Sequence, residues 1–208
     1  VLCLVKPMHK HIYNVCYIYF SMKTVVVIPV RSSSSRIPKK WTLKFGERTM
    51  LEVIYDQITL CETVDEIWVA TTTDPTDNAL VEFCLAHNYN FVRGDMTNVC
   101  SRLGIVAQTS EADIIVNVDG EQPLIEPSLI DHAVNIIKSG VVKCIGYSRC
   151  SAGLAPNFVC TKEYLQGVMK NKDTNNDFHW GDLFNDKDEL CVDTWSDYER
   201  INAILEMG

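Results

Sequence analysis

The 208-residue sequence lacks the patterns that mark metal-bound and disulfide-stapled proteins. It has no Cys-x-x-Cys and no His-x3-His, and its nine cysteines are odd in number and scattered, several of them within apolar segments. Zinc sites and disulfide frameworks need these residues at regular spacings. The observed pattern is typical of reduced thiols in the core of a cytoplasmic protein.

Glycine-rich nucleotide motifs and long apolar runs are also missing. The sequence contains neither the Gly-x-Gly-x-x-Gly fingerprint of dinucleotide-binding folds nor the Gly-Lys-Ser/Thr of a Walker A loop. It has no continuous run of about 20 apolar residues, which a membrane-spanning helix requires. The formal net charge of -8 repels nucleic acids and anionic membranes. We therefore expect neither nucleic acid nor a membrane as a partner.

Residues 1–21 differ in pattern from the rest of the chain. Apolar residues dominate this segment, but lysine, proline and histidine interrupt them, and the uninterrupted core of a signal peptide is missing. The run KTVVVIPV follows Met22 at once. We predict that residues 1–21 are an appendage, with an extra edge strand as the alternative, and that residues 22–208 form one domain.

Along this domain, short apolar runs alternate with segments in which apolar residues recur with a period of 3.6 residues. The runs predict buried strands over 24–30, 66–70, 91–92, 113–118, 143–147, 158–161 and 189–192. The periodic segments predict helices over 50–61, 76–87, 99–108, 127–138, 162–170 and 196–207. Such alternation indicates an α/β fold with a mostly parallel sheet that is covered on both faces.

Ligands of such sheets bind beyond the carboxyl ends of the strands. This rule selects the segments 31–40, 71–75 and 119–123, each of which follows a predicted strand. The first of them reads RSSSSRIPKK and combines four hydroxyls with four cations. Hydroxyls and backbone amides of a tight loop can hold phosphate oxygens while Arg and Lys neutralise their charge. We interpret it as a triphosphate-binding loop, with a solvated linker as the alternative.

The same segment resembles the first motif of the cytidylyltransferases that activate acidic sugars. That motif, P-x-R-x-G-S-x-R-[LF]-P-x-K after a strand, is matched by Pro29, Arg31, Ser34, Arg36, Ile37, Pro38 and Lys40. Further blocks follow in the order of that family: TMLEVIYDQI, VDEIWVATTTDPTDNAL, FVRGDMTNV, VNVDGEQPLIEPSLID and CVDTWSDYERINAI. The relatives are the 3-deoxy-manno-octulosonate cytidylyltransferases and the spore-coat-polysaccharide type. The resemblance implies a three-layer, Rossmann-like nucleotidyltransferase fold.

The resemblance also implies roles for individual residues. Lys40 is expected to contact the β- and γ-phosphate oxygens of CTP, and Arg31 and Arg36 those oxygens or the departing pyrophosphate. Pro29 and Ser34 belong to the same nucleotide-binding loop. The threonines that follow the second strand are expected near the base or ribose, although such a run is also ordinary at a strand end; they are Thr71, Thr72 and Thr73.

A Mg²⁺ cofactor is implied as well, because the family places metal carboxylates in two of the matched blocks. Here these blocks contribute Asp119, which is expected to bind nucleotide or metal, Glu121 and Asp193. Mg²⁺ prefers one or two carboxylates together with phosphate oxygens and waters. The alternatives are a polar turn for Asp119 and Glu121 and a helix N-cap for Asp193.

Two positions depart from the family pattern: Ser33 stands where the relatives have glycine, and Glu121 where they have aspartate. The segment between Tyr147 and Glu189, where relatives bind the sugar and dimerise, is short and does not identify the acceptor. We expect an enzyme that transfers CMP from CTP to an acidic sugar for polysaccharide or glycoconjugate synthesis. The alternatives are use of another nucleoside triphosphate and a degenerate, nucleotide-binding relative. A homodimer is left open.

Overall fold

The computed structural model describes residues 22–147, 153–170 and 195–207. The predicted appendage over 1–21 and the predicted strand over 189–192 lie outside these ranges, and both stay predictions. In chain order the strands are β1 (Thr24–Pro29), β2 (Lys44–Phe45), β3 (Arg48–Thr49), β4 (Glu66–Thr72), β5 (Asn90–Gly94), β6 (Ile114–Asn117), β7 (Cys144–Gly146) and β8 (Phe158–Thr161). The α-helices are α1 (Met50–Ile58), α2 (Asn78–Ala86), α3 (Val99–Thr109), α4 (Pro127–Lys138), α5 (Lys162–Lys170) and α6 (Trp195–Met207).

Six of these strands form the central sheet, in the order β5-β4-β1-β6-β8-β7. β1 pairs in parallel with β4 on one side and β6 on the other, and β5 extends the parallel part beyond β4. β8 is antiparallel to both β6 and β7. The predicted mostly parallel α/β sheet is therefore confirmed, and its order reverses direction at β1.

The sheet is buried on both faces, which explains why β1 reads as an unbroken apolar run. Val26 and Ile28 belong to a core that α1, α2, α4 and α6 share, whereas Val25 and Val27 belong to a second core with α3 and α5. All four β1 side chains are fully buried. Because successive side chains of a strand point to opposite faces, one strand feeds both cores. This is the three-layer arrangement that the sequence predicts.

Local signals set several helix ends. Thr49 and Glu52 form a reciprocal capping box at the start of α1. Pro127 begins α4, where its missing N–H is not needed. The predicted start of the second helix at Thr76 is wrong by two residues, because a single 3-10 turn over Pro75–Asp77 precedes α2.

The hairpin of β2 and β3 was not predicted from the sequence. It lies just after a 3-10 turn over Lys40–Thr42 and contacts the C-terminal helix. Tyr198 of α6 donates its hydroxyl hydrogen bond to the carbonyl of Lys44, and its ring packs edge-on against Phe45 at 5.2 Å between centroids. The last helix thereby supports the segment that follows the serine-rich loop.

In the described part of the chain, no helix combines the length and the apolar character needed to cross a membrane.

Candidate active site

The candidate site lies at the carboxyl ends of β1 and β6, where the strand order reverses. In open α/β sheets this is the position at which ligands bind. Two connections meet there: the serine-rich loop 31–39 after β1, and the turn 119–122 after β6. Gly120 allows their close approach, because a Cβ at this position would lie 2.5 Å from Cγ2 of Val30 and 3.1 Å from the carbonyl oxygen of Pro29.

Ser32 holds the serine-rich loop through hydrogen bonds of its backbone and its side chain. Its carbonyl accepts hydrogen bonds from the amides of Ser34 (3.0 Å) and Lys39 (2.9 Å), so the loop folds back on itself. Its hydroxyl accepts a bond from Nε1 of the buried Trp41 at 3.2 Å. Ile37 is 1% exposed and anchors the middle of the loop in the core. These contacts are those of an ordered loop, and they disfavour the alternative of a solvated linker.

Asp77 joins this loop to the neighbouring strand. Its Oδ1 accepts a hydrogen bond from the amide of Ser32 at 2.6 Å, and its Oδ2 accepts bonds from the amide (3.2 Å) and the hydroxyl of Thr72. The Asp77 side chain is buried, which by itself raises the pKa of a carboxyl, but these donors outweigh burial and hold its pKa below the ordinary value. Asp77 is therefore an ionised, hydrogen-bonded clamp between β1 and β4.

Lys40 and Glu121 form an ion pair across the site. Nζ of Lys40 lies 2.6 Å from Oε2 of Glu121, with the lysine side chain 9% exposed and the glutamate side chain 30% exposed. The lysine comes from the serine-rich segment and the glutamate from the turn after β6. The fold thus brings together a side chain expected at the triphosphate and one expected at the metal.

The turn after β6 is held by Gln122. Its Oε1 accepts a bond from the amide of Asp119 at 2.9 Å, and its Nε2 donates to the carbonyl of Ala155 at 3.2 Å. Asp119 and Glu121 lie on either side of Gly120, and both side chains are half-buried at the mouth of the site. These hydrogen bonds hold the turn, which presents two carboxylates from one stretch of backbone.

The remaining cations of the loop are placed at its outer side. Arg31 and Arg36 are both exposed, and Nη1 of Arg31 donates to the carbonyl of Met96 at 3.4 Å. Arg102 of α3 donates to the same carbonyl at 3.3 Å and to that of Asp95 at 2.7 Å. Burial, and then the charge of Arg31, lower the pKa of Arg102. Two guanidinium groups therefore flank one rim of the site.

The three threonines at the end of β4 lie in different environments. Thr71 and Thr72 are fully buried, and Thr72 bonds to Asp77, whereas Thr73 is exposed. The amide of Thr73 donates to the carbonyl of Gly94 at 3.0 Å. Thr73 is thus the one of the three that is exposed to solvent at the end of β4. A nucleotide role for this run stays a prediction.

Other predicted features have structural partners. The hydroxyl of Ser34 accepts a bond from the amide of Ile37 at 3.3 Å inside the loop. Ser33, which replaces the family glycine, does not adopt positive φ; the non-glycine residues that do so in the described ranges are Lys39, Asn88 and Glu111. The backbone at this position therefore does not require glycine.

Arg93 and Asp95, two positions apart in the sequence, bind different groups. Arg93 donates to the carbonyls of Thr72 (2.8 Å) and Asp74 (2.9 Å) and to Oδ1 of Asn78 (3.0 Å). The carboxylate of Asp95 accepts from the amides of the turn that follows it, at Thr97 and Asn98. The hydrogen bonds of Arg93 therefore stabilise the end of β4 and the turn that follows it, and none of them goes to Asp95.

The donor set of the site suits Mg²⁺. Asp119 and Glu121 supply hard carboxylate oxygens on one turn, and Mg²⁺ in nucleotide sites takes one or two carboxylates beside phosphate oxygens and waters. Asp193, the third predicted ligand, lies outside the described residues. Within the described ranges, no group of three or more His, Cys, Asp and Glu side chains forms a metal-binding cluster. Asp119 and Glu121 would therefore supply two carboxylates, and the phosphates of a bound nucleotide would supply further ligands of the cation.

The fold and the site match the model of one protein family. The cytidylyltransferase family model matches residues 25–169, which covers most of the central sheet and both loops of the site. The chain belongs to the cytidylyltransferase family. The resemblance seen in the sequence motifs is thereby confirmed, and the characteristic chemistry of this family is nucleotidyl transfer.

Individual relatives match the chain over part of their length. The chain is 31% identical over 150 residues to an uncharacterized protein of Methanocaldococcus jannaschii, covering 72% of this chain and 61% of that protein. It is 34% identical over 112 residues to a 3-deoxy-manno-octulosonate cytidylyltransferase of Solibacter usitatus, covering 54% and 44%. The chain thus spans about half the length of the curated relatives it matches.

Solved cytidylyltransferase structures share the fold. A cytidylyltransferase from Leptospira borgpetersenii superposes with a TM-score of 0.76 at 21% identity, over 90% of this chain and 88% of that one. A CMP-2-keto-3-deoxy-manno-octonic acid synthetase in complex with CTP superposes with a TM-score of 0.67 at 19% identity, over 89% and 99%. At these identities the likeness shows a common three-layer fold.

Sequence reasoning did not single out Asp77, Trp41, Gln122 or Arg102. A signal existed for Asp77, since it lies within the matched block VDEIWVATTTDPTDNAL and follows a Pro-x step into a helix. Arg102 has a weaker signal, a charge beside Leu103 on the buried face of α3. Neither signal shows which loop these side chains hold.

Proposed function

We propose that this cytidylyltransferase-family chain transfers CMP from CTP to an acidic sugar and releases pyrophosphate. The observation that carries the proposal is the ion pair of Lys40 and Glu121 within a matched family site. A triphosphate bound to Mg²⁺ is the ligand that needs a cation for its phosphates and a carboxylate for its metal at one place.

The triphosphate side of the site supports this proposal through its charge. Four cations fall within residues 31–40 of a chain whose formal net charge is -8. The loop that carries them is held by Asp77 and Trp41 through Ser32. Such pre-organised cations stabilise charge that develops in a transition state without reorganising at that moment. A mobile linker with the same residues would lack this advantage.

The metal would be held by Asp119 and Glu121, with Asp193 as a further candidate. When bound, Mg²⁺ would neutralise negative charge on the triphosphate and on the departing pyrophosphate. Gln122 accepts a hydrogen bond from the backbone amide of Asp119, so both carboxylates are presented from one hydrogen-bonded turn.

The proposed reaction balances as a nucleotidyl transfer. An oxygen of a sugar hydroxyl forms a bond to the α-phosphorus of CTP, and the bond from that phosphorus to the α,β-bridging oxygen breaks. Pyrophosphate leaves, and the proton of the hydroxyl passes to solvent. Lys40 would bind the β- and γ-phosphate oxygens, and Arg31 and Arg36 would receive the pyrophosphate.

Cytosine and an acidic acceptor are proposed from the relatives. A 3-deoxy-manno-octulosonate cytidylyltransferase matches about half of this chain, and a CMP-2-keto-3-deoxy-manno-octonic acid synthetase bound to CTP shares the fold. The product would be an activated sugar for polysaccharide or glycoconjugate synthesis. The acceptor is proposed as a class, namely a sugar that carries a carboxylate.

A thermal-shift panel with CTP, UTP, ATP, GTP and NAD, each with and without Mg²⁺, tests the nucleotide part. A ligand at about 100 times its dissociation constant stabilises a protein by roughly 2.7 kcal/mol, which is easily measured. We expect stabilisation by CTP that Mg²⁺ strengthens. Pyrophosphate release with 2-keto-3-deoxy sugar acids then tests turnover. A preference for another triphosphate would contradict the CTP proposal.

The ion pair also favours a second candidate, a nucleotide-binding protein without turnover. In the described structure Glu121 contacts Lys40, and the methylene that distinguishes it from the family aspartate contributes to that reach. If the pair persists with nucleotide bound, the carboxylate is not free for the metal. CTP binding that Mg²⁺ does not strengthen, together with no pyrophosphate release, would identify this case.

A further inference from the structure

Two of the cysteines lie directly opposite each other on neighbouring strands. Cys144 of β7 and Cys160 of β8 are register partners in the antiparallel pair, and their strands lie on the far side of β6 from β1. Cys160 is 1% exposed, whereas Cys144 is on the outermost strand and partly exposed. Both thiols are free in this structure.

The hydrogen bonds of the ladder show which kind of pair this is. The amide of Thr161 donates to the carbonyl of Lys143, and the amide of Tyr147 donates to that of Asn157. These bonds place the hydrogen-bonded pairs at odd-numbered positions of β7, so Cys144 and Cys160 form a non-hydrogen-bonded pair. The Cα atoms of such pairs are about 4.5 Å apart, with their side chains close together. Disulfides usually join Cα atoms about 4.4–6.8 Å apart, so the backbone already has a suitable separation.

We propose that Cys144 and Cys160 are a thiol modification site that forms a cross-strand disulfide when it meets a small disulfide such as oxidised glutathione. Both thiols are reduced in the resting state, as the sequence pattern predicts, and the pair is positioned for reversible oxidation.

The two thiols have different parts in this chemistry. A hydrogen bond from Cys160, and a further one from Tyr164, lower the pKa of Cys144 despite its partial burial. The same contact with Cys144, together with burial, raises the pKa of Cys160. Since the thiolate is the nucleophile, Cys144 reacts first, and its position on the edge strand makes it the accessible one.

The exchange proceeds in two balanced steps. The Cys144 thiolate attacks one sulfur of glutathione disulfide, and one glutathione leaves as a thiolate that takes up the proton lost by Cys144. Cys160 then loses its proton and attacks the Cys144 sulfur of the mixed disulfide, which releases the second glutathione. Two electrons pass from the protein thiols to the glutathione disulfide. Once Cys144 is uncharged in the mixed disulfide, the charge that disfavours ionisation of Cys160 is gone.

The disulfide would close a segment that touches the candidate active site. Between the two cysteines, the amide of Asn157 donates to the carbonyl of Asn117 at 2.8 Å, and the carbonyl of Ala155 accepts from Gln122 at 3.2 Å. Oxidation would therefore tether the stretch that supports the turn carrying Glu121.

Peptide mapping of the whole chain tests the proposal. The protein is incubated with oxidised glutathione, its remaining thiols are alkylated in denaturant, and it is digested with trypsin and chymotrypsin without reduction. Cleavage after Lys143, Tyr147, Phe158 and Lys162 separates the two cysteines from Cys150. We expect residues 144–147 linked to residues 159–162 in most of the protein, with the link lost on treatment with dithiothreitol.

Variants separate this pair from its neighbours. Cys100→Ser and Cys150→Ser should keep the link, because Cys144 and Cys160 are each other's register partners in the ladder. Cys144→Ser should abolish it. The proposal is overturned if both peptides of the wild-type protein are recovered alkylated. It is equally overturned if Cys144 retains glutathione while Cys160 is alkylated, or if Cys160 is linked to Cys100.

Discussion

Lys40 and Glu121, 81 positions apart in the sequence, form an ion pair with 2.6 Å between Nζ and Oε2. The lysine is nearly buried and the glutamate partly exposed, so the pair joins the interior of the candidate site to its mouth. A Mg²⁺–triphosphate complex could replace both halves of this contact, with phosphate oxygens on the lysine and the metal on the carboxylate. The ion pair is therefore the feature of the site to test first.

Replacing Lys40 by alanine should weaken nucleotide binding. A hydrogen bond to a charged group contributes about 1.5–3 kcal/mol, which corresponds to a dissociation constant raised by roughly tenfold or more. Isothermal titration calorimetry with CTP and Mg²⁺ measures this change. Lys44→Ala is the matched control, because the exposed Lys44 ammonium donates only to the carbonyl of Glu47 among the bonds of the described residues. Equal affinities for both variants would remove Lys40 from the triphosphate site.

Replacing Glu121 by glutamine should remove the dependence of nucleotide affinity on Mg²⁺. The amide is uncharged and a poor ligand for a hard cation, whereas Glu121→Asp keeps the charge and should keep the dependence. The ratio of CTP affinities with and without Mg²⁺ is the quantity to measure. Glu126→Gln, at an exposed position on the same segment, should behave as the wild type. A glutamine variant that responds fully to Mg²⁺ would exclude Glu121 as a ligand.

Replacing Asp77 by asparagine should destabilise the fold and loosen the serine-rich loop. The amide group would face the amides of Ser32 and Thr72 with one acceptor instead of two, at a cost of about 1–3 kcal/mol in unfolding free energy. Urea denaturation at neutral pH measures this difference. Asp56→Asn, which alters an exposed ion pair with Arg48, should change stability little.

The destabilisation caused by Asp77→Asn should depend on pH. The pKa of Asp77 is lower in the folded state than its ordinary value of 3.8, so the ionised carboxylate stabilises the fold above that value. As the pH falls from about 4 through the lowered folded pKa, the contribution is lost. The wild type and the variant should therefore converge in stability in acid. A difference that stays constant down to this range would mean that the charge of Asp77 is unimportant.

Replacing Gly120 by alanine should disrupt the contact between the two loops of the site. The new Cβ would overlap Val30 at 2.5 Å and press on the carbonyl of Pro29, so β1 and the turn after β6 must separate. We expect a loss of about 1–3 kcal/mol in stability together with weaker CTP binding. Gly146→Ala is the control, since a Cβ there has no heavy atom within 4 Å. Circular dichroism melting and calorimetry report the two effects separately.

Much of the fold is predictable from local pattern. The bounds of α4, α5 and β8 agree with the sequence prediction to the residue, because proline, periodicity and apolar runs mark them directly. The β2–β3 hairpin was missed because strands of two residues are too short to show alternation. Its position depends on packing against Tyr198 of the last helix, 154 positions from Lys44.

The candidate site is predictable in its parts but not in its contacts. Sequence motifs identified the serine-rich loop and the turn after β6, since both follow apolar runs that end in polar residues. They did not show that Asp77 holds Ser32, nor that Lys40 meets Glu121, because these partners are 45 and 81 positions apart. Only the strand order, with β1 between β4 and β6, brings these residues together.

The amino-acid sequence alone therefore determined the α/β class, the family resemblance and the types of side chain at the site. These depend on local periodicity and on residue spacing within single segments. The tertiary structure decided which of the described side chains pair, which are buried and which two cysteines among the described residues are opposite each other. Pairing and burial are properties of elements that are distant in the chain, and only the packed sheet defines their distances.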